Sequence, residues 1–198
     1  PLEGESEDYV LCLGRVSPEK GFERALRAAR RADVRLVLAG QVFAYPDHQR
    51  HFRREIVPLL DGQRRFVGSV GGETKRRLLA RARCLVVTSR VAETSSLVVM
   101  EALACGTPVV VASPGAPASL IEHGVTGLIA KDDGELADAL QRIRQLDRRA
   151  CRRQAEQRFD VRQTTQRYLD LYRELSTEAA APNERFETRA AGVTELPP

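Results

Sequence analysis

Short apolar runs alternate with longer amphipathic segments along most of this chain. The runs are rich in valine and leucine and lack polar alternation, which is typical of strands buried on both faces of a sheet. Between them, apolar residues recur three and four positions apart, as on helices that pack by one face. The predicted strands are residues 9–13, 35–39, 64–67, 85–87, 109–111 and 125–130. This alternation predicts an α/β fold, a doubly wound parallel sheet of about six strands with right-handed crossovers.

The periodic pattern predicts one domain at residues 9–175, with long helices at 18–31, 47–60 and 161–175 among others. The acidic residues 1–8 are predicted to be a linker. Because a strand follows them abruptly, we expect a further domain on their N-terminal side. Residues 176–198 have no apolar period and are predicted to be disordered.

The charges do not suggest a nucleic-acid partner. The formal net charge is +4, and the 28 arginines and 3 lysines are spread along the helices instead of forming one block. Aromatic residues make up 5% of the chain and tryptophan is absent, so the stacking platforms of a nucleic-acid surface are not expected.

The cysteine spacing and the hydropathy favour a cytoplasmic protein. The four cysteines have neither C-x-x-C nor zinc-site spacing, and buried free thiols in a reducing compartment are predicted. They are Cys12, Cys84, Cys105 and Cys151. No apolar run is long enough to span a bilayer, and no signal peptide is recognised. His48 and His51 have no third ligand nearby, and there is no Asp-x-Asp cluster, so no metal site is predicted.

Residues 84–112 contain two carboxylates, Glu93 and Glu101, eight positions apart. A helix is predicted over residues 95–104, capped by Ser95 or Ser96, so that Glu93 precedes its N-terminus and Glu101 lies two turns inside. The free N–H groups of a helix N-terminus bind phosphate, and carboxylates accept hydrogen bonds from sugar hydroxyls. This layout matches a nucleotide-sugar, in which a diphosphate joins two hydroxyl-rich groups. The alternative is a solvated Glu93 and a capped or exposed Glu101 on an ordinary helix.

The turn after the first predicted strand carries two cations, Arg15 and Lys20, five positions apart. It lacks the G-x-G-x-x-G fingerprint, which counts against a nicotinamide or flavin enzyme. Both cations can hold a diphosphate at the carboxyl edge of the sheet, and the alternative is two surface cations. Arg15, Lys20 and Glu93 all follow predicted strand ends, so we expect them at one edge.

Together these motifs resemble the C-terminal, donor-binding domain of the family-4 retaining glycosyltransferases, which have the two-domain GT-B fold. The resemblance covers residues 9–175. It rests on the turn GRVSPEKG, the E-x7-E pair Glu93 and Glu101, and the segments EALACGTPVV and EHGVTGLIA. It implies a Rossmann-like domain that forms half of a GT-B enzyme.

The resemblance also implies roles for individual residues. Arg15 and Lys20, in the turn that begins at Gly14, would hold the diphosphate and the charge that develops on it. Glu93 would lie by the transferred hexose, and Glu101 would bind the ribose hydroxyls. The donor-binding set is completed by Val67, whose turn would pack the base, and by Ser95, Ser96, Leu97 and Val98, whose segment would meet the phosphates and the sugar.

The implied reaction moves a hexose from a UDP- or GDP-linked donor, with retained configuration by internal return and without a cofactor or metal. Ser95 and Ser96 stand where the family has an aromatic residue and glycine, which leaves the sugar open. The acceptor domain is expected on a missing N-terminal part, so this chain alone would bind donor and transfer little. Peripheral membrane contact through that missing domain is left open.

Two further functions are compatible with the same residues. One is a non-catalytic, regulatory module that binds nucleotide-sugars, and the other is a sugar-nucleotide epimerase or phosphorylase of the same fold. Donor titration would separate the first from the enzyme, and a product assay would separate the second.

Overall fold

The computed structural model describes the backbone of residues 7–180 and the side chains of residues 7–177. In this part of the chain six strands form a single sheet in which every neighbouring pair is parallel. The strands are β1 (Tyr9–Leu13), β2 (Arg35–Ala39), β3 (Arg64–Phe66), β4 (Cys84–Val87), β5 (Val109–Val111) and β6 (Gly127–Ile129). The predicted six-stranded parallel α/β fold is therefore confirmed.

The sheet order is β3-β2-β1-β4-β5-β6, so the chain moves outward from β1 in one direction and from β4 in the other. Strand β1 pairs with both β2 and β4. In such a sheet the connections that leave the two central strands diverge and open a crevice at the carboxyl edge. The loops after β1 and β4 are therefore placed side by side.

Helices cover both faces of the sheet. They are α1 (Phe22–Arg31), α2 (Pro46–His51), α3 (Gly72–Arg81), α4 (Leu97–Ala104), α5 (Ala116–Ser119), α6 (Asp133–Arg142) and α7 (Arg148–Arg158). A further helix, α8 (Val161–Ala180), follows along the chain. Alternate strand residues such as Val10 and Cys12 pack into the core with Leu26 of α1 and Leu140 of α6. Helices α4 and α7 contact each other, as do α1 and α6.

The helix predicted over residues 18–31 is interrupted. A 3-10 turn, Pro18–Lys20, precedes α1, and Gly21 between them has φ +60°. A Cβ atom there would lie 2.4 Å from the backbone oxygen of Thr88, so only glycine allows the two loops to meet so closely. The break is thus set by a tertiary contact that helical periodicity cannot reveal.

The helix predicted over residues 47–60 is also not uniform. Helix α2 continues as a π-helix, Phe52–Ile56, and ends in a 3-10 turn, Val57–Leu59. Pro58 lacks an N–H group and cannot continue the regular ladder of hydrogen bonds.

The chain divides into two compact units, of which the first ends at Arg158 and the second begins at Phe159. The boundary predicted at residue 175 differs from this division. Helix α8 belongs to the second unit and extends to Ala180, so residues 176–180, predicted to be disordered, are helical. The remaining predicted tail, 181–198, and residues 1–6 of the predicted linker lie outside the described residues. None of the described helices is long and apolar enough to cross a membrane.

The cysteines are free, and three of them, Cys12, Cys84 and Cys151, are buried as predicted. Cys105 is half-buried. Burial raises the pKa of the Cys84 and Cys151 thiols to about 12, which makes both unreactive near neutral pH.

At the amino edge of the sheet, Asp8 anchors the start of β1. Its carboxylate accepts hydrogen bonds from Arg83, which precedes β4, and from Arg144, which follows α6. Hydrogen bonds from Arg144 and Arg83 lower the pKa of the Asp8 carboxyl to about 2. Asp8 therefore belongs to the folded unit and not to a free linker.

At the carboxyl edge, the ends of β1 and β2 are joined through two glycines. The Gly14 N–H donates to the oxygen of Ala39 over 3.1 Å. Gly40 has φ +157°, and a Cβ atom on it would lie 1.7 Å from the oxygen of Gly14.

We predict that Gly40→Ala lowers the free energy of unfolding by about 2–4 kcal/mol, because the methyl group collides with backbone and the φ angle is strained. Urea unfolding measures the change. Gly62→Ala is the matched control, since no atom lies within 4 Å of a Cβ at Gly62. Equal stability of the two variants would contradict the prediction.

We predict that Asp8→Asn lowers the free energy of unfolding by about 1 kcal/mol at pH 7, a small value because the carboxylate is more than half exposed. The folded pKa lies below the unfolded value, so the stabilisation is complete above about pH 4 and is lost as the pH falls toward 2. Urea midpoints of both proteins should differ at pH 7 and converge near pH 2.5. A constant difference across this range would argue against the ion pair.

Candidate functional site

The loop after β1 and the loop after β4 contact each other at the crevice. The Thr88 hydroxyl donates to the backbone oxygen of Lys20 over 3.2 Å, and the Arg90 N–H donates to the oxygen of Glu19 over 2.7 Å. These bonds fix the first loop against the second, so side chains from either loop share one edge of the sheet.

The contact at the centre of the site joins Lys20 and Glu93. Lys20 Nζ lies 2.8 Å from Glu93 Oε1, and the Ser89 hydroxyl donates to the same oxygen. The two side chains are 28% and 11% exposed. Glu93 is thus a mostly buried, paired carboxylate, and the alternative of a solvated Glu93 is wrong.

The backbone of Glu93 is held as firmly as its side chain. Its oxygen accepts a hydrogen bond from the Ala116 N–H over 2.8 Å, and Glu93 forms a parallel bridge with Gly115. Gly115 has φ +87°, and a Cβ atom on it would lie 2.5 Å from the Glu93 oxygen. Only glycine at position 115 permits this approach.

Arg15 lies in the same turn as Lys20 but has a different partner. Its guanidinium is 3.0 Å from Glu19 Oε1, and about half of its side chain is exposed. Gly14 and Val67 lie at the carboxyl ends of β1 and β3, where their N–H groups bond to the oxygens of Ala39 and Leu38. The roles of these residues toward a donor stay predictions.

The sequence predicted that α4 starts at Ser95, but the helix begins two residues later, at Leu97. Ser96 occupies the N-cap position, but its side chain makes no capping hydrogen bond, and its buried hydroxyl has no partner among the described residues. The first turn leaves the N–H groups of Leu97 and Val98 without intrahelical acceptors. These two amides follow the Glu93 loop directly, as the sequence predicted, and the Leu97 side chain is 73% exposed.

Glu101, one turn further along α4, is paired with Lys75 of α3. Lys75 Nζ lies 2.5 Å from Glu101 Oε1, and the side chains are 34% and 40% exposed. This lysine was missed, because α3 has the pattern of an ordinary amphipathic helix. Its signal was present: Lys75 is one of only three lysines in an arginine-rich chain.

Glu23 and Arg90 link the start of α1 to the loop after β4, and sequence reasoning missed both residues. Glu23, in the first turn of α1, is 2% exposed, and Arg90 Nε donates to its Oε1 over 2.9 Å. His51 Nε2 lies 3.5 Å from the other oxygen. Glu23 precedes the buried Leu26 by three positions, so helical periodicity could have marked it as a buried carboxylate.

The site therefore has a defined chemistry. Two carboxylates that can accept hydrogen bonds from hydroxyls flank a helix N-terminus that can bind an anion, and a lysine contacts each carboxylate. The part of the chain that the structure describes brings no three potential metal ligands of the His, Cys, Asp or Glu type together.

Known proteins are similar to this chain in sequence. Residues 1–158 match the model of the family described as glycosyl transferases group 1. The D-inositol 3-phosphate glycosyltransferase of Saccharomonospora viridis is 34% identical over 180 residues, which are 81% of this chain and 41% of that protein. The chain thus spans well under half the length of this curated relative.

Solved structures of glycosyltransferases share the fold. Sucrose-phosphate synthase from Thermosynechococcus elongatus superposes with a TM-score of 0.75 at 28% identity, over 90% of this chain and 47% of that one. Anabaena HepE in complex with UDP-glucose gives 0.72 at 26% identity, over 87% and 50%. The described sheet corresponds to one half of such GT-B structures. By sequence and by fold, the chain belongs to the glycosyl transferases group 1 family.

Proposed function

We propose that this chain is the nucleotide-sugar-binding half of a retaining, metal-independent glycosyltransferase that moves a hexose from a nucleoside-diphosphate donor to an acceptor. The observation that carries the proposal is the contact between Lys20 and Glu93 at the crevice. It joins a cation suited to phosphate with a carboxylate suited to sugar hydroxyls, next to a helix N-terminus.

Lys20 and Glu93 keep binding capacity while they are paired. An ammonium has three N–H donors and a carboxylate has about four acceptor positions, so their shared bond leaves both able to contact a ligand. Glu93 accepts from Lys20 and Ser89 and would accept from the hexose hydroxyls with what remains. Lys20 would donate to the diphosphate.

The leaving diphosphate gains negative charge as the glycosidic bond breaks. Lys20, Arg15 and the N–H groups of Ser96, Leu97 and Val98 would stabilise this charge, because fixed donors need no reorganisation during the reaction. In this proposal they fulfil the charge-stabilising role that a divalent cation has in other enzymes. Retention would follow from attack of the acceptor on the face that the diphosphate leaves.

The donor is proposed to be a UDP-sugar, with GDP-sugar as the alternative. The similar protein HepE is described in complex with UDP and with UDP-glucose, which supports uridine. Glu101 would bind the ribose, and the turn that follows Val67 would pack the base. Ser95 and Ser96 adjoin the sugar position and leave the hexose unassigned.

Transfer needs an acceptor, and we propose that a separate acceptor domain supplies its site. This is supported by the share of its relatives that the chain covers, which is 41% of the Saccharomonospora viridis enzyme and 50% of HepE. The proposed location is the cytoplasm, which suits four free cysteines.

The unusual pair Ser95 and Ser96 favours a second candidate, a donor-binding module without catalysis.

We predict that the chain binds UDP and UDP-glucose in calorimetric titration, and that Lys20→Ala weakens UDP binding by about 10- to 100-fold. Loss of a hydrogen bond between charged groups costs about 1.5–3 kcal/mol, and an unpaired Glu93 would repel the diphosphate. In a Glu93→Gln background the penalty should therefore be smaller. Arg30→Ala, at the opposite end of α1, is the control. UDP binding by the Lys20 variant at the native affinity would refute the role of this lysine.

We further predict that the 198-residue chain binds UDP-glucose but does not catalyse sustained release of UDP in an assay with a mixture of sugar and polyol acceptors. The reason is that the acceptor site is proposed to lie on another domain. Sustained UDP release by this chain alone would contradict the proposal that the acceptor site lies on another domain. A chain that fails to bind UDP, GDP and their sugars would contradict the whole proposal.

A further inference from the structure

Each of the two site carboxylates is paired with a lysine, in a chain where lysine is rare. Of 31 basic residues only three are lysines, and Lys20 and Lys75 contact Glu93 and Glu101 respectively. Nearly all other ion pairs among the described residues use arginine; examples are Arg24 with Asp133 and Arg76 with Glu73. The lysine at position 75 therefore differs from the arginine that forms most of the described ion pairs.

The difference between the two cations lies in how they occupy a carboxylate. A guanidinium is a planar fork that can engage both oxygens of a carboxylate in parallel hydrogen bonds. Arg76 illustrates this in the same helix, since its Nε and Nη2 both bond to Glu73 and reach both of its oxygens. An ammonium is a compact charge, and Lys75 bonds to Oε1 of Glu101.

A carboxylate held through one oxygen keeps acceptor positions on the other. Glu101 is 40% exposed, so a ligand can reach it, and the lysine restricts its orientation without covering it. The pair also joins α3 to α4 and thereby ties the glycine-rich turn before α3 to the helix that carries Glu101.

We propose that Lys75 is a positioning residue for the nucleoside end of the donor site. It fixes the Glu101 carboxylate through one oxygen, so that the other is presented to the vicinal hydroxyls of a ribose. This inference rests on the proposed function. It assigns to Lys75 the discrimination of ribose-containing ligands, and it favours lysine, because an arginine at this position could occupy both oxygens as Arg76 does on Glu73.

The test compares UDP with 2′,3′-dideoxy-UDP, which has the same base and diphosphate but lacks the ribose hydroxyls. Both are titrated by calorimetry into the native chain, Lys75→Arg and Lys75→Met. We expect each variant to lose roughly 10-fold or more in affinity for UDP and to bind the dideoxy compound as the native chain does. The control is Arg76→Lys, a change between the same two residue types at the next position, which should leave both affinities unchanged.

The alternative outcomes overturn the inference in separate ways. Native UDP affinity in Lys75→Arg and Lys75→Met would remove any role of the lysine. An equal loss for UDP and the dideoxy compound would show that Lys75 contacts phosphate directly or supports the fold. If the native chain bound neither nucleotide, nor GDP, the proposed function itself would fail and this inference with it.

Discussion

An ion pair between residues 73 positions apart lies at the centre of the candidate site. Lys20 belongs to the turn after β1 and Glu93 to the loop after β4, and their side chains meet at 2.8 Å. Mostly buried charges are costly to remove from water unless each is paired and hydrogen-bonded. Glu93 also accepts a hydrogen bond from the Ser89 hydroxyl, and Lys20 remains partly exposed to water, so both charges meet that condition. The two loops must therefore hold Lys20 and Glu93 within hydrogen-bonding distance of each other even without a ligand.

The surrounding structure provides that geometry through close backbone approaches. Glycine at position 21 lets the first loop reach Thr88, and glycine at position 115 lets the next loop reach Glu93. The buried contact between Glu23 and Arg90 adds a second charged link between the same two segments. The contacts of Gly21 and Glu23 require β1 and β4 to be neighbours in the sheet, and the contact of Gly115 requires β5 to lie beside β4.

In the proposed function, the two lysine–glutamate pairs belong to a reacting end and a recognition end of the site. Lys20 and Glu93 are the less exposed pair and lie where a sugar and a diphosphate would meet, whereas Lys75 and Glu101 are more open. In a chain without ligand, each carboxylate is already neutralised by a cation. Donor binding would then redistribute existing hydrogen bonds instead of assembling charges from water, which limits the cost of desolvation.

The sequence alone determined the sheet, the order of its elements and the candidates Arg15, Lys20, Glu93 and Glu101, because apolar periodicity and spacing are local properties. It did not reveal Lys75, Glu23 or the break at Gly21, since each depends on a partner at least 26 positions away. Only the tertiary structure decided which ions pair, and it separated Arg15, bonded to Glu19, from Lys20, bonded to Glu93. The physical reason is that burial selects one partner among many charges, and burial is a property of the packed chain.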